Sequence, residues 1–493
     1  MTHPHATPSR RALLGGGLAF TGLGVAGLAG CMTSSTMDGD GGSLKGLVGP
    51  NDAVVAQVEA ARGTPEATRT FALTARRTEI DLAGQRAATW AYGDTVPGPL
   101  LRATAGDRIT VAVRNDLPQV TSVHWHGIRL RNDMDGVPGH TQEAIAADGG
   151  TFTYDFITPD PGTYFFHPHV GVQLDRGLYA PLIIDDPAES VDFDKEWVVV
   201  LDDWLDGIMG DPDTELETLR RNGSGMIGQG SEIAYPFYLV NGRPPADPET
   251  FQAAPGERVR LRIINASSDT VYRVALGGHR LKVTHKDGIP TLPKETDAII
   301  IGMGERYDLS TTVGDGAFPL VAMAEGKSGQ AYAVLRTSAS AAAPPEDVQP
   351  DELTRGILWA PLLSGDDHVP RGQERAGDKA DRTITIQLGV RGGRYVWTMN
   401  GKTFEEADPF VVSRDEVVRI IWQNMSHMPH PMHLHGHSFR LTDGGSWHDT
   451  VLVGPMGAVA AQFVADNPGA WMMHCHNIFH AEAGMMATLG YRA

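Results

Sequence analysis

The chain has 493 residues, too many for one ordinary domain and about right for three; its 41% hydrophobic and 20% charged content is that of a soluble globular protein. Acidic residues outnumber basic ones, 60 to 41, and no basic stripe is present, which argues against a nucleic-acid partner and leaves a surface favourable to cations. Two cysteines, Cys31 and Cys475, lie in unrelated contexts, so the fold is not stapled by disulfides.

The chain begins with an address. Ser9-Arg10-Arg11-Ala12-Leu13-Leu14 carries a twin-arginine pair, followed by a weakly apolar, Gly-rich run over residues 12–30. That pattern reads as an export signal and not as a membrane-spanning helix of the mature protein. It ends Leu28-Ala29-Gly30-Cys31, the form of a bacterial lipoprotein processing site. Cleavage before Cys31 and lipidation of its thiol are therefore expected, placing the chain on the periplasmic side of the cell envelope and attached to the membrane. Residues 31–65, rich in Ser, Thr, Asp, Gly and Ala, read as a flexible tether.

One unit then occurs three times. Gly106-Asp107-Arg108-Ile109-Thr110-Val111-Ala112-Val113-Arg114-Asn115 is a turn followed by an alternating strand. It returns as Gly256-Glu257-Arg258-Val259-Arg260-Leu261-Arg262-Ile263-Ile264-Asn265, and again over Arg414 to Asn424 with one extra residue. A repeat of domain length with period-two alternation predicts an all-β chain of three related β-sandwiches. The boundaries expected are 66–187, 188–337 and 354–493, with an Ala-, Pro- and acid-rich linker over 338–353. Helix signals are scarce; a short helix is expected over residues 213–221.

Four histidine clusters carry the chemistry: His124-Trp125-His126, His167-Pro168-His169, His430-Pro431-Met432-His433-Leu434-His435, and His474-Cys475-His476, the last continuing to His480 and Met485. One His-x-His on a strand is a weak signal, but four beside a solitary cysteine are hard to explain as structure, because buried imidazoles without partners cost about 1–3 kcal/mol each. Residues i and i+2 of a strand share a face. His474 and His476 thus face one way and Cys475 the other, so that the thiolate binds one metal while the flanking imidazoles bind others. Cys475, His430 and His480 with a distant Met485 form a blue-copper set. The remaining eight histidines fit three further coppers, two on one metal and six on a pair. Structural zinc wants four ligands and has no redox role.

From about residue 66 to the end, these clusters resemble the four copper motifs of three-domain multicopper oxidases, the family of laccases and bacterial cuprous oxidases. The resemblance implies three cupredoxin-like Greek-key domains, four coppers per chain, and a trinuclear site between the first and third domains. It implies that His124 and His433 bind the type 2 copper. His126, His167, His169, His435, His474 and His476 would bind the type 3 pair, and His430, Cys475, His480 and Met485 the type 1 copper. The middle domain places Tyr272, Ala275 and Gly277 where the third has His430, His433 and His435, so it is expected to hold no copper and to act as a spacer. His279 and His437 occupy matching places, which marks His437 as structural. The family places a proton-supplying acid where Asp135 stands. Many bacterial members put a second directly after the last histidine; here that residue is Ala481 and the acid follows as Glu482.

The reaction so implied is one-electron oxidation of a small reducing substrate coupled to four-electron reduction of O2 to water, by a monomer. Met425 and Met428 flank the approach to His430 in Met425-Ser426-His427-Met428-Pro429-His430. Thioethers are soft donors for Cu(I), so Cu(I) is the expected substrate, with phenols or aromatic amines as the alternative. A copper-storage protein or a copper-free scaffold relative is the competing class; all twelve ligands are intact, and storage has no use for the Cys475 bridge.

Overall fold

The computed structural model describes residues 44–189, 192–223, 232–365, 368–442 and 444–493. The twin-arginine run and Cys31 lie outside the described residues. Among those described, no helix is long and apolar enough to cross a membrane.

Each domain is a pair of packed β-sheets. The first holds two four-stranded sheets, the second two six-stranded sheets, and the third a six- and a five-stranded sheet. The thrice-repeated unit takes the same place in each. Arg108–Asn115, Arg258–Asn265 and Val417–Asn424 each run parallel to the domain's long opening strand, Thr68–Leu82, Lys195–Trp204 or Arg382–Val390. On the other side each pairs antiparallel with a later strand, Gly150–Ile157, Arg306–Thr312 or Ala458–Val464.

Alternation survives even where both faces are covered. In Arg258–Asn265, Val259, Leu261 and Ile263 enter the core while Arg260 and Arg262 turn toward the first domain. There both guanidiniums reach Asp308, which also accepts from the Thr163 hydroxyl at 2.6 Å. The cores of the second and third domains run together into one apolar cluster, and the first domain keeps its own.

Two helices follow sequence logic. Pro212–Asn222, where a short helix was expected, starts on an Asp211 cap whose carboxylate accepts from Thr214 N, carries Pro in its first turn, and ends at Gly223. The other corrects an expectation. The tether expected through residue 65 is built structure from residue 44 onward, because Leu47 bridges to Arg492 and helix Ala53–Ala61 buries Val55 and Glu59 one turn apart. The Glu59 carboxylate accepts from Ile157 N at 2.7 Å and so docks the helix on the first domain.

Candidate metal centre

The strand His124–His126 pairs with Gly162–His167 so that His124 stands opposite His167. In the third domain His430–Leu434 pairs with Ala470–Cys475, placing His433 opposite His474 and Met432 opposite Cys475. The two strand pairs meet at the boundary between domains. Asn132 Nδ2 donates to Ala470 O at 2.8 Å, and Asn467 Nδ2 donates to Leu130 O at 2.9 Å, fixing that boundary.

Two donor sets result. In the first, His430 Nδ1 and His480 Nδ1 are 3.1 Å apart, and Cys475 Sγ lies 3.6 and 3.7 Å from them. All three residues are fully buried, as is Met485. The outer nitrogens are occupied: His430 Nε2 meets the Ser426 hydroxyl at 2.8 Å and His480 Nε2 meets the Glu232 carboxylate at 3.2 Å. A ring N–H spent on an outward acceptor leaves Nδ1 with its lone pair turned inward. Two lone pairs and a sulfur converging without a proton between them fit a soft, thiolate-binding metal. Burial pushes the Cys475 thiol above its ordinary range, so a bound cation is what would ionise it.

The second set gathers eight histidines. His435 Nε2 and His169 Nε2 lie 3.1 and 3.3 Å from His474 Nε2, and His476 Nε2 lies 3.3 Å from His167 Nε2. His124 and His433 share a third vertex with His435. The rings stack in cross-domain pairs, His124 on His435 at 3.7 Å and His126 on His433 at 3.8 Å between centroids. His124 Nε2, His126 Nδ1 and His433 Nε2 are buried and have no hydrogen-bond partner. Burial first, then the neighbouring histidines, depress the basicity of His167, His169, His435, His474 and His476. Neutral imidazoles with orphaned inward nitrogens fit a metal cluster.

Asp135 has no exposed surface and stands between two of these rings. Its Oδ2 accepts from His435 Nδ1 at 2.9 Å, its backbone oxygen accepts from His124 Nδ1 at 2.8 Å, and its Oδ1 is 3.2 Å from the same nitrogen. Gly136 makes this turn possible: φ is +85°, and a Cβ there would fall 1.9 Å from Val123 O. His437 is structural. Its Nδ1 donates to His435 O and its Nε2 meets Tyr491 OH, while His279 repeats the first bond to Gly277 O.

Two sequence expectations are corrected. Glu482 is not at the cluster. It closes the short helix Ile478–Glu482 beyond His480, and its charged neighbours are Arg220, Glu405 and Asp213. Burial raises its carboxyl to about 7. Met428 does not face a substrate: it is 3% exposed and packs in the core, because Asn424 Nδ2 pulls its carbonyl inward with a 2.6 Å bond. Met425, by contrast, is 57% exposed.

Other residues were not legible in advance. Glu232 lies in a Gly- and Ser-rich stretch without periodicity. Asp449 and Thr450 stand directly before the apolar run Val451-Leu452-Val453, a polar pair at the start of a buried strand that was the available signal.

Models of the multicopper oxidase family match residues 74–189, 195–340 and 378–492. The chain is 44% identical to multicopper oxidase MmcO of Mycobacterium tuberculosis, over 98% of this chain and 96% of that protein. It is 28% identical to the copper resistance protein A homolog of Pseudomonas syringae pv. tomato, over 84% and 91%. The laccase of Botrytis aclada superposes with a TM-score of 0.74 at 26% identity, covering 88% of this chain and 90% of that one. This chain belongs to the multicopper oxidase family. It is a copper-dependent oxidoreductase that passes electrons from a reducing substrate to O2, built of cupredoxin-like domains.

Proposed function

We propose that the chain oxidises Cu(I) at the His430–Cys475–His480 centre and reduces O2 to water at the eight-histidine centre. His430, Cys475, His480 and Met485 would hold the type 1 copper and His124 with His433 the type 2 copper. One type 3 copper falls to His126, His167 and His476, the other to His169, His435 and His474. Copper on these donors supplies one-electron chemistry at the thiolate and four-electron chemistry at the three-metal set.

The rest is the work of the chain. Cys475 and its two flanking histidines join the donor sets by covalent bonds. Asp135, bonded to rings of both domains, is the group that holds and delivers protons at the cluster. Glu232 covers His480 Nε2 and is itself bonded by Tyr395 OH at 2.7 Å, while Trp397 lies over the His480 ring. Together they keep bulk water from that ligand.

The observation that carries the substrate reading is a pair of exposed methionines. Met425 is 57% and Met456 59% exposed, and Met456 N donates to Ser426 O at 3.0 Å, which brings the backbones of both residues next to Ser426. The Ser426 hydroxyl meets His430 Nε2. Two exposed thioethers on residues next to Ser426, whose hydroxyl bonds a type 1 ligand, are suited to Cu(I).

Catalytic efficiency for Cu(I) and for a methoxyphenol, in the parent and in Met425→Leu and Met456→Leu, tests this. Selective loss of Cu(I) oxidation is expected. Equal losses, or a parent that prefers the phenol, would favour a laccase. Export and lipid attachment at Cys31 are part of the same proposal, as is a monomeric state. Mass spectrometry of the mature N-terminus should find an acylated Cys31, and an unmodified start further along would reject the anchor.

A further inference from the structure

The eight-histidine centre has an approximate two-fold logic. Asp135 of the first domain serves the stacked pair His124 and His435; Asp449 of the third domain serves the other stacked pair, His126 and His433. Asp449 O accepts from His433 Nδ1 at 2.9 Å, and its Oδ1 lies 3.3 Å from His126 Nε2. The Thr450 hydroxyl donates to Asp449 Oδ1 at 2.8 Å, and its lone pairs face His126 Nε2 at 3.1 Å and His433 Nδ1 at 3.0 Å. This polarity puts ring protons outward, leaving His126 Nδ1 and His433 Nε2 bare toward the metals.

The symmetry is broken by the domain that holds no ligand. Arg306 is fully buried and donates to Asp449 Oδ1 at 2.7 Å and Oδ2 at 2.5 Å. The same guanidinium donates to Gly304 O at 2.9 Å and to Thr163 O at 3.0 Å. One side chain therefore bonds all three domains. Beside it the second domain presses backbone against the cluster: Gly304 has φ +79°, and a Cβ there would lie 2.8 Å from the His476 ring and 3.0 Å from that of His126. The carboxylate of Asp287 accepts from Arg306 N at 2.9 Å, and Glu305 accepts from Leu452 N at 3.3 Å, clamping the strand that follows Asp449.

We propose that Arg306 is a positioning residue for the trinuclear centre: its bidentate grip on Asp449 aims the Asp449–Thr450 acceptor pair at His126 and His433 and so fixes which ring nitrogens face the metals. This rests on the ligand assignment above. The second domain is then part of the metal site and not a spacer. A guanidinium is the suited group, because its rigid fork holds both carboxylate oxygens where an ammonium would hold one.

The test compares copper-loaded parent, Arg306→Met, Arg306→Lys and Thr450→Val. Metal retention against a chelator, the type 2 EPR signal and the blue absorption are read together. Arg306→Met and Thr450→Val should release the His124–His433 copper about 10–100-fold more readily, the usual cost of losing such an outer partner. Both should show altered type 2 hyperfine splitting with the blue band kept. Arg306→Lys should recover part of the retention. Parental retention and EPR in Arg306→Met and Thr450→Val, with only a lower thermal midpoint, would overturn the proposal. If Arg306→Met does not fold, Arg306→Lys decides: its retention and type 2 signal should fall between parent and Thr450→Val, and parental values in it would overturn the proposal. A parent that itself binds fewer than four coppers would instead overturn the ligand assignment.

Discussion

Asp135 touches a ring from each side of the domain boundary, and its chemistry is separable from its geometry. Asparagine in its place still offers an oxygen to His435 Nδ1 but cannot carry a proton. Asp135→Asn should slow reoxidation by O2 by roughly 100-fold, the scale of a lost proton donor, and leave reduction of the type 1 copper nearly unchanged. Stopped-flow measurement of the two half-reactions checks this; equal losses would make the residue structural. The histidines make a second claim at this scale. Burial holds eight of the candidate ligands, His126, His167, His169, His430, His433, His435, His474 and His476, below their ordinary basicity. Below about pH 6.5 the unfolded chain binds protons that the folded chain refuses, so copper-free stability is lost as pH falls through that value. Asp175, Asp202, Asp203, Asp206, Glu215 and Glu482, raised by burial, pull the other way but are fewer than the histidines. Denaturant midpoints of the copper-free protein should therefore be lower at pH 5.5 than at pH 7.5, and an equal or higher midpoint would contradict the sign.

The repeated strand explains how one element fixes the loop beyond it in each domain. Each copy ends in asparagine, and each asparagine turns inward to bind the loop beyond it. Asn115 Nδ2 donates to Gln119 O, Ile145 O and Ala146 O; Asn265 Nδ2 donates to Thr270 O and Ile301 O. Asn424 Nδ2 donates to Met428 O, Val453 O and Gly454 O, while its Oδ1 accepts from Ser426 N. In the third domain that knot sets the approach to His430. Asn424→Ala leaves buried carbonyls unpaired and should cost about 2–4 kcal/mol. The blue band should weaken as His430 loses its fixed approach; thermal melts and visible spectra read both effects, and an unchanged spectrum would detach the knot from the metal site.

The same strand shows what was legible in the sequence and what was not. Strand alternation and the spacing within His124-Trp125-His126 and His474-Cys475-His476 are local facts, so the sheets, the sidedness of Cys475 and the gathering of the histidines could be read from the chain alone. Met428 could not be placed, because its burial depends on a bond from Asn424. Glu482 could not be placed, because the chain past His480 turns into the helix Ile478–Glu482, which a strand argument does not foresee and which carries the carboxylate away from the cluster. Arg306 and Asp449 are distant in sequence and meet only through three-domain packing.

At the scale of the molecule, the first described residues and the C-terminus meet across the first and third domains. Residues expected to be a loose tether instead strap the first domain to the third. Val48 N donates to Tyr491 O at 2.8 Å and Ala493 N to Gly46 O at 3.1 Å, while Arg62 donates to Ile157 O and Arg129 O. A mature chain begun after residue 62 should melt at least about 2–4 °C lower, the shift for roughly 1 kcal/mol in a domain of this size, and should bind trinuclear copper less tightly. Calorimetry of the two lengths checks it, and identical midpoints would make the strap inert.

In the proposed assignment, twelve side chains divide into one thiolate site and one eight-histidine site. The most direct test is copper analysis and EPR on fully reconstituted parent and Cys475→Ser. Four coppers and a blue band are expected in the parent, and three coppers with no blue band but an intact type 2 signal in the variant. One or two coppers in the parent, or loss of the type 2 signal together with the blue band in a folded variant, would contradict it.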